Sequence, residues 1–224
     1  MTNGARVNAS PEGLGSTPDR LVAAAEELFL EHGVDAVSLR AIGRKAGAKN
    51  VLAIQYWFND RDGLIRALLE RHREDIEVRR HTILDLYEAQ GRTDIRGLAE
   101  ALVRPFAAKL DQGTSGRGYL RSASELINGS NPLPDVWGAD LPGGSLIRWR
   151  DLLEPLLDPD AVALHRRFHT MRFVLAELAQ RARWERENDN RLFISQLIDS
   201  VAGLLTAEIS VETRAIVAET RRKR

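Results

Sequence analysis

The stretch SLRAIGRKAGAKNVLAIQYWF, residues 38–58, predicts two short helices joined by a turn at Ala46-Gly47. This is the sequence form of a helix-turn-helix, whose second helix can enter the major groove of DNA. Five apolar residues are spaced to dock the pair onto a preceding helix: Leu39, Ile42, Ala46, Ile54 and Phe58. The outward positions hold the donors that contact phosphates and base edges in protein–DNA complexes: Arg40, Arg44, Lys45, Lys49, Asn50, Gln55 and Tyr56.

The flanking sequence completes a three-helix domain over residues 17–62. Residues 1–16 are rich in Gly, Asn, Ser and Pro without periodicity, which predicts a disordered arm. Thr17-Pro18-Asp19 then predicts a helix start, and Gly33 predicts the end of that helix. Ser38 is placed to cap the second helix. Asp60 is placed to cap a long fourth helix that continues to about Tyr87.

The remainder, residues 63–224, keeps helical periodicity and lacks strand signals, so an all-α fold is expected. Residues 94–111 predict a helix bent at Pro105. A glycine-rich break is expected at 113–118 and a long loop at 128–144, and residues 145–157 resume the helix. Two long helices, 161–187 and 190–220, are predicted to end the chain.

Residues 17–72 resemble the N-terminal DNA-binding domain of the TetR family of bacterial transcriptional regulators. LVAAAEELFLEHG (21–33) is similar to the family's first helix, and VDAVSLRAIGRKAGA (34–48) to its second. AIQYWFNDRDGLIRALL (53–69) resembles the recognition helix and the start of the fourth helix. The family usually has Tyr, His and Tyr where this chain has Gln55, Tyr56 and Trp57, and one extra residue lies between Gly47 and Ala53.

The resemblance implies roles for individual side chains at the DNA. Arg40 falls where family members reach a base or a phosphate, and Gln55 is expected to read a base because its amide can pair with adenine. Lys49 and Asn50 lie at the end of the recognition helix that enters the groove most deeply. Phosphate contacts are assigned to three further residues: Ser38, Tyr56 and Arg61. Trp57 and Phe58 are predicted to pack in the core or at an interface instead of touching DNA.

The last two predicted helices carry apolar stripes that must be covered. Their members are Phe168, Met171, Leu175 and Leu178 in one helix, and Leu197, Val201 and Leu205 in the next. Two interpretations stay open on the pattern: the stripes close the chain's own core, or they form a four-helix bundle with a second copy. The TetR resemblance favours a homodimer through these helices.

A regulator needs a region that binds an effector, and residues 91–157 are expected to form it. TetR-like proteins commonly bind a hydrophobic or amphipathic effector in this region. The candidate pocket residues are Phe106, Leu110, Tyr119, Leu120, Ser124, Asn128, Trp137 and Trp149. Effector binding is expected to move the fourth helix and to spread the two recognition helices away from their DNA register.

Charge and composition agree with a DNA-binding regulator. Lys and Arg together equal Asp and Glu at 32 each, but residues 38–61 hold five cations against one anion. The chain has no cysteine, which excludes disulfides and Cys-ligated zinc. No apolar run suggests a signal peptide or a membrane span, so a cytoplasmic location is expected. The expected function is therefore a repressor that binds a palindromic operator as a homodimer, without a cofactor and without enzymatic activity.

Two other functions remain open on the sequence. His165 and His169 are four residues apart, a spacing that lets two imidazoles meet one metal ion, but HRRFH lacks the glutamate of a zincin, and two arginines disfavour a nearby cation. No metal site is expected there. An all-helical ligand-binding or interaction protein that no longer reads DNA is the second alternative, and the unusual Gln55-Tyr56-Trp57 run keeps it open.

Overall fold

A computed structural model describes residues 16–48, 52–129, 143–184 and 189–223. Every regular element in this part of the chain is helical, as the periodicity predicts. The α-helices are α1 (Thr17–His32), α2 (Leu39–Lys45), α3 (Leu52–Phe58), α4 (Arg61–Ala89), α5 (Ile95–Ala107), α6 (Gly113–Asn128), α7 (Ser145–Leu153), α8 (Pro159–Ala163), α9 (Arg166–Ala182), α10 (Arg191–Thr206) and α11 (Val211–Arg222). Short 3-10 turns follow α5 (Ala108–Asp111) and α7 (Glu154–Leu156).

Capping side chains set the starts of the N-terminal helices. Ser16, one residue before the predicted start, caps α1: its hydroxyl accepts from the Asp19 amide, while the Asp19 carboxylate accepts from the Ser16 amide. Ser38 caps α2, since its hydroxyl accepts from Ala41 N at 3.2 Å. Asp60 caps α4 by accepting from Gly63 N at 2.8 Å. The predicted caps at Ser38 and Asp60 are therefore confirmed, and so is the helix end at Gly33, which has a φ of 90°.

One continuous core holds the helices together. Helices α2 and α3 pack on α1 and on the start of α4, and α1 also lies along α6. Helix α5 packs between α4 and α10, and α9 packs against α6 and α10. The boundary predicted at residues 62 and 63 falls inside the first turn of α4, which runs unbroken to Ala89. The helix-turn-helix is thus attached to the rest of the chain both by α4 and by the α1–α6 contact.

The glycine-rich segment 113–118 is helical, so the predicted break is wrong. Helix α6 begins at Gly113 and runs through both Gly116 and Gly118. A Cβ atom on Gly118 would lie 2.3 Å from the carbonyl oxygen of Glu26, and one on Gly116 would lie 2.2 Å from that of Lys109. These glycines therefore allow α6 to approach the backbone of α1 and of the preceding turn closely.

Helix α5 continues past Pro105 to Ala107 and then tightens into a 3-10 turn. Because proline has no N–H, the carbonyl oxygen of Ala101 loses its usual partner four residues ahead. The Arg80 side chain replaces it, with Nε donating to Ala101 O at 3.2 Å. A buried cation on α4 thus satisfies the carbonyl that the proline leaves unpaired in α5.

Both long C-terminal helices predicted from the sequence are interrupted. The segment 161–187 splits where His165 adopts a left-handed conformation (φ 55°), so α8 ends at Ala163 and α9 starts at Arg166. The segment 190–220 splits into α10 and α11, which are bent by 57°. Ser210 caps α11, and Arg166 donates to Ala207 O at 2.5 Å, which holds the chain away from a continuous helix.

Other predictions in this half hold in part. Residues 145–157 are helical as predicted, but α7 stops at Leu153 and a 3-10 turn follows at Pro155. Most of the predicted loop 128–144 and the predicted arm 1–16 lie outside the described residues. No single described helix is long and apolar enough to span a bilayer. Only α10 and α11 taken together pass by length and composition.

The close approach of α1 and α6 predicts opposite effects for two glycine substitutions. Gly118→Ala should lower the free energy of unfolding by about 1–3 kcal/mol, because its methyl group overlaps the Glu26 backbone. Gly43→Ala is the matched control: Gly43 is also helical, and a Cβ there meets no atom within 4 Å. It should raise the free energy of unfolding by roughly 0.5–1 kcal/mol. Urea unfolding followed by circular dichroism measures both, and equal effects would contradict the packing described.

Candidate nucleic-acid interface

Helices α2 and α3 are locked by their apolar faces. Ile42 and Ile54 are buried, and three half-buried residues pack against the same core: Leu39, Ala46 and Phe58. The apolar docking positions predicted from the sequence are therefore confirmed. Since Ile54 and Phe58 are one helical turn apart and face inward, the three residues between them lie on the outer side of α3.

The outer side of α3 is strongly exposed. Gln55 is exposed, Tyr56 is 79% exposed and Trp57 is 49% exposed. The Tyr56 and Trp57 rings meet edge to face, with 5.0 Å between their centroids. Trp57 was predicted to pack in the core or at an interface, and its exposure places it outside the chain's own core. Phe58 packs as predicted.

Helix α2 adds two free cations to this surface. Arg40 and Arg44 are exposed, and no carboxylate in the described residues pairs with either of them. Lys45 differs, because its ammonium lies 2.6 Å from the Glu27 carboxylate of α1. The hydrogen bond with Glu27 raises the pKa of Lys45 above its usual value. Lys49 and Asn50 lie outside the described residues, and Ser38 is exposed with its hydroxyl oxygen engaged in the cap.

The structure gives Arg61 a different role from the predicted phosphate contact. Its guanidinium donates to Val37 O at 2.7 Å and also to Val34 O. The same group lies 5.9 Å from the centroid of the Phe29 ring. Both carbonyls belong to the segment between α1 and α2, so Arg61 ties that segment to the start of α4. Two of its five donors are therefore engaged inside the protein.

A second pair of charged side chains holds the same segment from α6. Glu125 accepts from Val34 N at 2.5 Å and from Arg121 Nε at 2.9 Å. Arg121 also donates to Leu30 O in the last turn of α1. Gly33 has a φ of 90°, a backbone conformation that favours glycine, and a Cβ atom there would lie 2.9 Å from the Arg121 guanidinium. The entry to α2 is consequently fixed by both α4 and α6.

Deeper in the junction, polar groups of three helices meet. The Glu26 carboxylate of α1 lies 2.9 Å from His72 Nε2 of α4, and both side chains are buried. The His72 ring lies 4.7 Å from the ring of Tyr119 on α6. Burial raises the pKa of Tyr119, so this phenol stays neutral and can donate a hydrogen bond. These contacts join the helix-turn-helix to the rest of the chain through groups that must stay paired.

The predicted effector-pocket residues separate into four groups. Phe106 and Tyr119 line one cavity of about 30 Å³, and Trp149 lines a neighbouring groove of about 210 Å³. Leu110 and Leu120 are packed in the core instead. Ser124 and Asn128 line neither space: Asn128 is exposed, accepts from Arg172 at 2.8 Å and donates to the carbonyl of Ser124. Trp137 lies outside the described residues.

Sequence reasoning missed the most unusual residue beside the first cavity, Arg80. This side chain is completely buried, and Nη1 donates to Ser145 Oγ at 2.8 Å. Burial lowers the pKa of Arg80 to about 10, so the guanidinium stays charged at neutral pH. The sequence carried a signal, since Arg80 occupies the apolar stripe of α4 that includes Ile76, Leu84 and Tyr87.

Most of the predicted dimer contacts are buried within the single chain. Five of the seven side chains are at most 4% exposed and belong to the chain's own core: Leu175, Leu178, Leu197, Val201 and Leu205. A side chain without exposed surface cannot contact a second copy, so these positions close the monomer. Phe168 is exposed and Met171 is half-buried, but both line the 210 Å³ groove beside Trp149. In the described residues, no group of three or more His, Asp or Glu side chains could hold a metal ion.

Comparisons with known proteins agree with this architecture. Residues 21–68 match the family model of bacterial regulatory proteins, tetR family. A crystal structure of an HlyIIR mutant is similar with a TM-score of 0.55 at 18% identity, over 89% of this chain and 99% of that one. The TetR family transcriptional regulator PfmR from Thermus thermophilus is similar with a TM-score of 0.52 at 20% identity, over 88% of this chain and 100% of that one.

No curated protein matched the chain. The family match covers most of α1, all of α2 and α3 and the first eight residues of α4, the region whose helix-turn-helix geometry is described above. The two solved structures extend the likeness of fold across most of the chain. Residues 21–68 thus belong to the TetR family of bacterial regulatory proteins, and the chain around them has the all-α fold of TetR-family transcription regulators.

Proposed function

We propose that this protein is a sequence-specific DNA-binding repressor that leaves a palindromic operator when a small hydrophobic or amphipathic effector binds. The proposal is supported mainly by the contrast between the buried apolar face of α3 and its exposed polar face. Ile54 is buried in the core while Gln55 and Tyr56 are exposed, and Arg40 of the adjoining α2 is exposed and has no ion-pair partner among the described residues. TetR-family members are transcription regulators and not enzymes, so an enzymatic role is not part of this function.

Each exposed group has a role that its chemistry supports. Gln55 reads a base edge, because its amide offers a donor and an acceptor side by side. Arg40 grips a phosphate or a guanine, and Tyr56 and the Ser38 hydroxyl donate to phosphates. Lys49 and Asn50 remain proposed contacts at the start of the recognition helix. Arg61 contributes indirectly by positioning the segment before α2.

A homodimer supplies the second recognition helix, and the outward face of α9 and α10 is the proposed interface. Leu192 is 78% exposed, and Leu204 is also an exposed apolar side chain on α10. Small residues on the same side permit close approach: Ala176, Ser200 and Gly203. A Cβ atom on Gly203 meets nothing within 4 Å, which agrees with an open face. A twofold dimer would bind half-sites about 34 Å or a multiple of it apart.

Helix α4 is the proposed path from effector to DNA. Its 29 residues span about 43 Å, with Arg61 at the helix-turn-helix and Ile76 and Arg80 at the 30 Å³ cavity. A shift of α4 therefore moves the Arg61 side chain, which donates hydrogen bonds to the carbonyl oxygens of Val34 and Val37 in the segment before α2. In this proposal residues 17–62 form the DNA-binding part and residues 63–224 the effector-binding and dimerisation part.

Selection of fragments from a random DNA pool tests the proposal. The selected sequences should share a twofold-symmetric motif. Gln55→Ala should lose about 1–3 kcal/mol of discrimination at one base position in each half-site, because one bidentate contact is removed. Gln90→Ala, an exposed glutamine at the end of α4, is the matched control and should select the same motif as the unmodified chain. Failure to enrich any motif would count against sequence-specific binding and favour an interaction protein that no longer reads DNA.

Two arginines near the interface should have separable effects. Arg40→Ala should weaken DNA binding and leave the free energy of unfolding within about 0.5 kcal/mol, since Arg40 is exposed and unpaired. Arg61→Ala should lower the free energy of unfolding by about 1–3 kcal/mol, because two backbone carbonyls lose a charged donor. Its salt slope for DNA binding should match that of the unmodified chain. Fluorescence anisotropy over a salt series, paired with urea unfolding, separates these roles. A smaller dependence of DNA binding on salt in Arg61→Ala would instead support the phosphate contact that the sequence predicts for Arg61.

The dimer surface is tested by oligomeric state. Ser200→Arg should dissociate the dimer, because a long cation would enter the middle of the α9–α10 face. Thr82→Arg places the same side chain at an exposed position of α4 and should leave the dimer intact. Sedimentation equilibrium gives the masses. A chain that is monomeric without either substitution contradicts this interface.

A further inference from the structure

The guanidinium of Arg80 has a donor without an acceptor. Its Nε donates to Ala101 O and its Nη1 to Ser145 Oγ, but the buried Nη2 has no hydrogen-bond partner among the described residues. An unpaired donor on a buried charge costs more than an ordinary unpaired amide. The group lies at the cavity of about 30 Å³ that Phe106 and Tyr119 also line. An arginine with one unpaired, buried donor group therefore lines a small cavity with apolar walls.

The charge around this cavity favours an anion. Arg73 lines it but is paired with Glu70, so Arg80 is the cation that meets the single lining carboxylate, Glu77. That carboxylate is shared: its oxygens accept from Ser145 N at 2.6 Å and from Ser145 Oγ at 2.8 Å, and one of them lies 3.4 Å from Arg80 Nη1. The other lining groups are apolar or, in the case of Tyr119, a neutral phenol. Arg80 Nη2 has no acceptor among the described residues, and a compact negative group would supply one.

The space divides into a small polar end and a larger apolar end. A cavity of about 30 Å³ has room for one or two water-sized groups, such as the oxygens of a carboxylate. The groove of about 210 Å³ lies on the other side of Leu146, which lines both spaces. Its apolar walls are Trp149, Phe168 and Met171. His165 also lines the groove, as do Arg150 and Arg167, which pair with Asp151 and Glu154. Together the two spaces match a molecule with a small anionic head and an apolar body.

We propose that the effector is an amphipathic monocarboxylate whose carboxylate accepts from Arg80 Nη2 and whose apolar part passes Leu146 into the groove lined by Trp149, Phe168 and Met171. This inference rests on the proposed effector-regulated function and names the chemical class of its ligand. A dianion is disfavoured by Glu77, which lies beside the same guanidinium. A neutral acceptor would make only an uncharged hydrogen bond to the buried guanidinium, which is weaker than a charge-assisted one.

The same contacts say how this ligand would act on the protein. Glu77 and Arg80 of α4 both hold Ser145 at the start of α7, and Leu146 is the next residue. A ligand that passes Leu146 displaces α7 and weakens its tie to α4. Because Arg61 at the start of α4 is hydrogen-bonded to Val37, a movement of α4 is passed on to the segment before α2.

Calorimetric titration of the full chain tests the site, with decanoate and 2-naphthoate as probes and their primary amides as neutral counterparts. Each acid should bind more tightly than its amide. Arg80→Met should weaken acid binding about tenfold to a hundredfold, because a charge-assisted contact is lost, and should change amide binding little. Arg79→Met removes the neighbouring arginine, which is exposed and paired with Asp75, and should change neither. Equal losses for acid and amide in Arg80→Met would overturn the inference.

A second variant and a second measurement test the site if Arg80→Met does not fold. Phe168→Ser alters an exposed groove residue and should weaken decanoate binding while leaving the free energy of unfolding near that of the unmodified chain. Unchanged decanoate affinity in that variant, or no acid binding up to about 1 mM, would overturn the site. Binding at Arg80 that leaves affinity for the selected operator unchanged supports the anion site and contradicts the release step of the proposed function. Operator selection itself does not depend on these probes.

Discussion

The contact of α1 with α6 is the constraint on which the rest of the structure depends. The two backbones approach so closely that Gly118 has no room for a side chain beside Glu26. Such an approach leaves little freedom for helices to slide, because protein interiors are close-packed. The contact therefore fixes the helix that carries α2 and α3, and with it the direction in which Gln55 and Tyr56 face.

Buried polar groups make this junction specific as well as tight. Glu26 and His72 remove their polar atoms from water together, and Arg121 and Glu125 bind the backbone where α1 ends. A buried charge that loses its partner is strongly destabilising, so alternative packings of these helices are penalised. Arg80 extends the pattern further along α4. Its buried guanidinium donates to Ala101 O, the carbonyl that Pro105 leaves unpaired, and its Nη2 has no hydrogen-bond partner among the described residues.

Local signals in the sequence predicted the local structure well. The caps at Ser38 and Asp60 and the inward spacing of Ile42 and Ile54 depend on residues a few positions apart, so a linear pattern contains them. The glycine-rich start of α6 could not be recognised as helical, because its reason lies in α1, about ninety residues earlier in the chain.

Long-range relations limited what could be predicted about the sites. An apolar stripe looks the same whether its own chain or a second copy covers it, and Leu175 and Val201 proved to be covered by their own chain. Arg61 looked like a phosphate contact until its carbonyl partners in the preceding segment were known. Arg80 stood out in its stripe, but its role needs the fold that brings Ala101 and Ser145 to it.

In the proposed function, the outward edge of α3 lies in the major groove, once in each subunit. The chain has no cysteine, so Tyr56→Cys gives a single site for attaching an iron chelate that cleaves nearby DNA. On the selected operator, the account predicts two cleavage clusters related by twofold symmetry, with centres about one helical turn or a multiple of it apart. The same chelate at Leu86→Cys, an exposed position near the far end of α4, should not cleave. Cleavage from Leu86 instead, or no localised cleavage from residue 56, would contradict the account.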